Sequence, residues 1–263
     1  DGFDMSEPEF LISVMDRHED WATIICLIGG GQEINTGEAG LPEWFRSLGD
    51  KYPGWDVYVS NQLTDIEYTR GENLYSYIDD NKLHKKESLH LSVSVRSFRS
   101  ELISNFVKSL LDLNIENSKL IYNQFNNQYP ILLTRNLNTA KKWLKSKARG
   151  TERYGIICSS KGKRLRPEGI HSKNEIKASN WFLDNKTDVR SSYYLEDVAT
   201  EFHIQGLELD WTCVAWDANF RFNNNEWEYL DFKGTKWQKI NDEVRKLYLK
   251  NAYRVLLTRA RQG

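Results

Sequence analysis

The stretch "DGFDMSEPEFLISVMDRHEDWATIICLIGGGQEINTG", residues 1–37, sets the reading of the whole chain. Acidic loop residues come first. A short helical pattern follows, carried by Phe10, Leu11, Val14 and Met15. An apolar run from Ala22 to Ile28 comes next and ends in three glycines. Helix, buried strand and Gly-rich turn, in that order, are the grammar of a parallel sheet with crossover helices. Strands of such a sheet are covered on both faces and read as continuous apolar runs.

Working outward, the same grammar recurs. "WDVYVS" (55–60) predicts a second strand. "ESLHLSVSVRSFRSELISNFVKSLLDL" (87–113) predicts an extended lead-in and then an amphipathic helix from about Ser100 to Leu111. "YPILLTR" (129–135) predicts a strand, and "NLNTAKKWLKSKA" (136–148) a helix that Asn136 or Asn138 would cap. "RYGIICSS" (153–160) and "ELDWTCVAWD" (208–217) predict two more strands. "INDEVRKLYLKNAYRVLLTRA" (240–260) reads as one long helix or two. The Asn-rich stretches "NQFNNQ" and "RFNNNEWEY" read as polar loops. Strands alternating with helices predict a three-layer α/β architecture.

With 263 residues and 40% hydrophobic content, the chain can bury one large core or two smaller ones. Cys26, Cys158 and Cys213 each lie in an apolar run, which predicts buried strand thiols in a reducing compartment. No stretch approaches the ~18 apolar residues of a membrane span and no leader is visible, so a cytoplasmic location is expected. The net charge of −1 exerts no global pull toward nucleic acid. Locally the balance differs. Arg135–Lys177 holds thirteen Lys or Arg against three acidic residues, a net of +10. That segment is either a solvated face or a phosphate-tracking surface, with Arg135, Lys141, Lys142 and Lys145 as candidate contacts. Trp143 lies among them, as a core residue or a base-stacking one.

Several chemistries are excluded. A P-loop requires G-x-x-x-x-G-K-[ST], because backbone amides must wrap the phosphates. Gly162-Lys163 is the only Gly-Lys pair, and Ile157 and Arg164 occupy the positions that need Gly and Ser or Thr. "GGGQEI" fails G-x-G-x-x-G at Ile34. The five histidines show no metal-ligand spacing, and there is no nucleophile elbow. Four stretches remain. Gln32 follows a strand in a glycine turn, where α/β sheets meet ligands. Arg96 sits at a strand end or helix start in "LSVSVRSFRS". Gln205-Gly206 turns the chain before Glu208, a carboxylate placed to accept from a ribose hydroxyl. Arg259 follows the helical residues Val255, Leu256 and Leu257, and a guanidinium held there can stabilise a transferring phosphoryl group.

In this order the four stretches resemble the C-terminal half of superfamily-one DNA/RNA helicases, and most closely the Schlafen-type (group 3) helicase-like family. "GGGQEI" resembles motif III, and "LSVSVRS" resembles L-x-x-N-Y-R-S with Ser94 and Val95 replacing Asn and Tyr. "HIQGLELD" resembles motif V, and "YRVLLTRA" motif VI. The resemblance implies a RecA-like, P-loop NTPase-type αβα fold. Residues 1–85 would be the remnant of a first RecA-like domain and 86–263 a second one without a P-loop. It implies that Gln32 senses the γ-phosphate, that Arg96, Gln205, Gly206 and Glu208 contact the nucleotide, and that Arg259 is the arginine finger. ATP and magnesium would be held mainly by an N-terminal half that precedes this chain, and nucleic acid would cross the tops of both domains. This chain would then be a fragment, inactive alone. Two other classes stay open: a non-catalytic nucleic-acid-binding or interaction module, and a component of a defence or restriction system.

Overall fold

A β-strand exists only where a neighbour takes up its N–H and C=O groups. That condition decides which apolar runs become strands here. The computed structural model describes residues 4–28, 40–61, 63, 69, 72–90 and 98–263. It is mixed α/β and divides into two compact units, residues 1–94 and 95–263.

In the first unit, α1 (Glu7–Met15) starts at Ser6, whose hydroxyl accepts from the Glu9 N–H at 3.3 Å. Helix α2 (Gly40–Lys51) follows. Strand β1 (Val57–Val59) pairs in parallel with β2 (Leu83–Lys85). Leu41, Phe45, Val59, Leu74 and Ile78 form the core. Glu72 clamps Arg46 through two bonds of 2.8 Å. The run Ala22–Ile28 departs from expectation. It forms no strand, and Ile25 and Leu27 are each 83% exposed. Among the described residues no strand pairs with it, and apolar character alone supplies no ladder partner. Cys26 is therefore exposed rather than buried.

The second unit opens with α3 (Phe98–Leu111), which buries Ile103, Val107 and Leu111 at four-residue spacing, and α4 (Ile115–Phe125). Helix α5 (Leu137–Lys147) starts at Asn136, whose side chain accepts from the Thr139 N–H at 2.9 Å. Next come β3 (Tyr154–Cys158), α6 (Ala178–Leu183), β4 (Ala199–Thr200), α7 (Glu201–Ile204) and β5 (Trp211–Ala215). The three strands form a parallel sheet in the order β4-β3-β5. Central β3 is buried throughout. Tyr154, Ile156 and Cys158 share a core with Leu144 of α5, and Ile157 is fully buried on the opposite face. Gly155 is required there, because a Cβ would lie 2.8 Å from the Trp181 ring. Trp143 packs edge-to-face on Trp211 at 5.5 Å and belongs to this core.

Two further expectations are corrected. "ILLTR" is not a strand, and Leu133 is 97% exposed; like 22–28, it joins no ladder among the described residues. "RFNNNEWEY" is not a loop. It forms the first hairpin of an antiparallel meander of β6 (Phe220–Asn223), β7 (Glu226–Lys233) and β8 (Lys236–Lys239). Asn224 and Asn225 have φ of 49° and 63°, the left-handed pair that a two-residue hairpin turn needs and asparagine tolerates. The chain then forms one helix, α8 (Glu243–Leu257), started by Asp242. Ala252, Val255 and Leu256 are buried, while Leu247 lies off that stripe and is 36% exposed. Among the described residues no helix is long and apolar enough to cross a membrane.

Candidate functional site

The tightest convergence of the singled-out residues is a corner beside β5. Gln205 (φ −59°, ψ 125°) and Gly206 (φ +83°) make a tight turn closed by the Leu207 N–H donating to the Ile204 carbonyl at 3.0 Å. These angles match a type II turn, whose third position favours glycine. The turn redirects the chain so that Leu209 runs parallel to Ala260, some fifty residues later. The Leu209 N–H donates to the Arg259 carbonyl at 3.0 Å, and the Arg261 N–H to the Leu209 carbonyl at 2.9 Å. Arg261 Nε also donates to Glu208 Oε2 at 3.1 Å. Tyr129 donates to the Ala260 carbonyl at 3.3 Å, and burial, with the Glu208 charge second, raises its hydroxyl pKa.

Arg259 is 2% exposed. Its Nε donates to the Val255 carbonyl at 3.1 Å and Nη2 to Thr258 Oγ1 at 3.2 Å, so the guanidinium folds back over the last turn of α8. A cation there complements the helix's carboxyl-end dipole. Arg261 is on the surface, yet its bond to Glu208 makes it part of the corner. Gln32 and Arg96 lie outside the described residues.

The +10 segment is not uniformly available. Half-buried Arg153 is spent on structure: it donates to the carbonyls of Trp181 and Asp184 and to the Ser191 and Ser192 hydroxyls, and lies over the Tyr193 ring at 4.4 Å. Lys141 pairs with Glu196 at 3.3 Å. Arg135, Lys142 and Lys145 are exposed. Sequence reasoning missed that Lys163 and Arg164 reach β7. Lys163 bonds Asp231 at 2.8 Å, and Arg164 lies 4.9 Å from the centre of the Phe232 ring. The basic "KGKR" was visible as a signal, but its partners Asp231 and Phe232 lie just beyond the stretch read as loop, in residues to which no element was assigned.

The family model described as Schlafen group 3, DNA/RNA helicase domain, matches residues 1–263. The chain belongs to this family. No curated protein and no solved structure matched. Membership of the Schlafen group 3 helicase domains makes the protein helicase-like and links it to nucleic acid in general. The Gln205–Glu208 and Arg259–Arg261 segments of this helicase domain, remote in sequence, are neighbours in the fold.

Proposed function

We propose that this chain is the C-terminal portion of a nucleic-acid-dependent ATPase, a second RecA-like domain preceded by the remnant of a first. The observation that carries the reading is the corner itself. A left-handed glycine turn, a carboxylate and two arginines sit side by side at the edge of a parallel sheet. In this reading Glu208 and the Gln205-Gly206 turn face the nucleotide. Arg259 leaves its helix-end position to meet charge that builds on the γ-phosphate, and Gln32 and Arg96 complete the set. ATP and magnesium are held mainly by an N-terminal half that carries the phosphate-cradling loop. The metal, when bound, neutralises phosphate charge.

Steady-state ATP hydrolysis by a longer protein that includes the P-loop tests this. Arg259→Ala is expected to lower turnover on the order of 10³-fold. Nucleotide affinity should change far less, because the contact strengthens only in the transition state. Arg259→Lys should not rescue, since a point charge lacks the planar fork. Residues 1–263 alone should show no turnover. A loss at Arg259 confined to nucleotide binding would end the arginine-finger assignment. A second reading, a non-catalytic nucleic-acid-binding module, is favoured by one feature: Glu208 is engaged by Arg261 and Arg259 by its own helix. Absence of ATPase activity in the longer protein, with nucleic-acid binding intact, selects it.

A further inference from the structure

The loop Ser159–Arg164 leaves the carboxyl end of β3, and two buried carboxylates hold its backbone. Glu201 accepts from the Ser160 N–H and from the Ser160 hydroxyl, each at 2.7 Å. Asp217 accepts from the Arg164 N–H at 3.0 Å. So held, the loop reaches the β7–β8 end of the meander. Lys163 Nζ bonds Asp231 Oδ1 at 2.8 Å and donates to the Phe232 carbonyl at 3.0 Å. Arg164 covers Phe232, and Trp237 meets the same ring edge-on at 5.1 Å. Strand alternation puts Lys239 on the Trp237 face. Lys233 and Lys236, both exposed, flank the Gly234-Thr235 turn.

The acidic groups of this meander are accounted for. Asp231 is engaged by Lys163 and lies 3.6 Å from Arg245. Glu226 lies beside the Asn224-Asn225 turn, and Glu228, on the strand face that Lys239 shares, is held by Arg221 at 2.6 Å and also feels the Lys239 charge. The Gly234 end is therefore basic and aromatic together.

We propose that this end of the meander, with the β3 loop, is a binding site for single-stranded polynucleotide. Bases stack on the Trp237–Phe232–Arg164 face, and backbone phosphates meet Arg164 and Lys239 there. Lys236, on the opposite strand face but at the exposed turn, meets the polynucleotide as it passes the Gly234-Thr235 end. Every base has a π-face, so such a platform is indifferent to sequence, and a duplex hides those faces. The buried carboxylates set the loop in advance, which lowers the ordering cost of binding. The site rests on the nucleic-acid reading above and goes beyond it by placing the contact off α5, on an element that reading did not include.

The test is fluorescence anisotropy of labelled dT and rU 15-mers and a matched duplex with residues 1–263, across a salt series. Trp237→Ala should weaken single-strand binding about fivefold or more, and Trp237→Phe should largely restore it. Lys236→Glu with Lys239→Glu, both exposed and so harmless to folding, should weaken binding and lower the slope of log K against log salt by roughly 1.4. The duplex should bind more weakly than either single strand. If Trp237→Ala and the double reversal both stay within twofold of the parent while Lys142→Glu with Lys145→Glu weakens binding, the nucleic-acid reading survives and this site is overturned. If the parent chain binds none of the probes at low salt, both are overturned.

Discussion

Two glycines of the parallel-sheet unit show how differently the same residue type is used. At Gly206 the backbone is left-handed, with open space around the missing Cβ. Gly206→Ala should cost about 1–2 kcal/mol of conformational strain and nothing from crowding. At Gly155 the backbone is ordinary, but a Cβ would strike the buried Trp181 ring at 2.8 Å. Gly155→Ala should cost about 1–3 kcal/mol by overpacking, and Trp181→Phe should relieve part of it. Urea unfolding of the three single variants and of each glycine variant combined with Trp181→Phe checks both, and equal relief of both glycine variants by Trp181→Phe would contradict the assignment. Glu201 offers a pH test. Burial pushes its pKa above the usual carboxylate value, against the opposing bonds from Ser160 and the charge of Lys161. A carboxyl whose folded pKa is raised holds its proton in the folded state longer than in the unfolded one. Stability from this group is thus full below the unfolded pKa and is lost as pH rises through the folded one. Glu201→Gln removes that dependence. The parent's melting temperature relative to Glu201→Gln should therefore fall as pH rises from about 4.5. A difference that grows with pH would refute the sign. Arg261→Ala, which breaks an exposed ion pair with Glu208, should cost less than about 1 kcal/mol.

Among the elements, the apolar runs 22–28 and 131–134 and the strand β3 look alike in sequence and end differently. Strand β3 finds β4 and β5 on its two edges, and its apolar side chains are buried on both faces. The other two runs meet no ladder among the described residues and remain exposed. Thiol reactivity reads this directly. Burial pushes the Cys158 thiol up to about 12 and the Cys213 thiol up to about 11. Cys26 sits exposed in the run 22–28. Native protein should thus show one fast-reacting thiol with an aromatic disulfide reagent, lost in Cys26→Ser, and three after unfolding. Partial desolvation by its neighbours still raises the exposed Cys26 thiol, so its labelling should quicken with pH. Fast labelling at Cys158 would overturn the placement of β3. The meander was illegible for a related reason. Strands β6 and β8 have only four residues each and β7 carries four charges, and only pairing across Asn224-Asn225 and Gly234-Thr235 turns them into a sheet.

Across the whole molecule, a net charge of −1 hides a segment of +10, but the fold spends part of that charge internally. Arg153 staples the core, Lys141 pairs with Glu196, and Lys163 with Asp231. The counterions released on binding nucleic acid should therefore be fewer than the sequence count suggests. Lys142→Glu with Lys145→Glu should weaken single-strand affinity across all sequences, and Lys141→Glu alone should do less. The measurement is affinity against salt. A slope near zero would mean that the basic face is only solvated, and an equal loss at Lys141 would mean that its pairing with Glu196 does not persist in solution.

The sequence by itself determined the family and the α/β class, because motif residues at turns and helix ends carry their signal locally. "HIQGLELD" and "YRVLLTRA" were legible that way. So were α1, α5, β3, β5 and α8, through apolar periodicity and capping residues such as Asn136. Only the tertiary structure decided which apolar runs found a partner, which lysines were already paired, and that Glu208 meets Arg261. Strand pairing and ion pairing are properties of two segments, and no single segment encodes where its partner will lie.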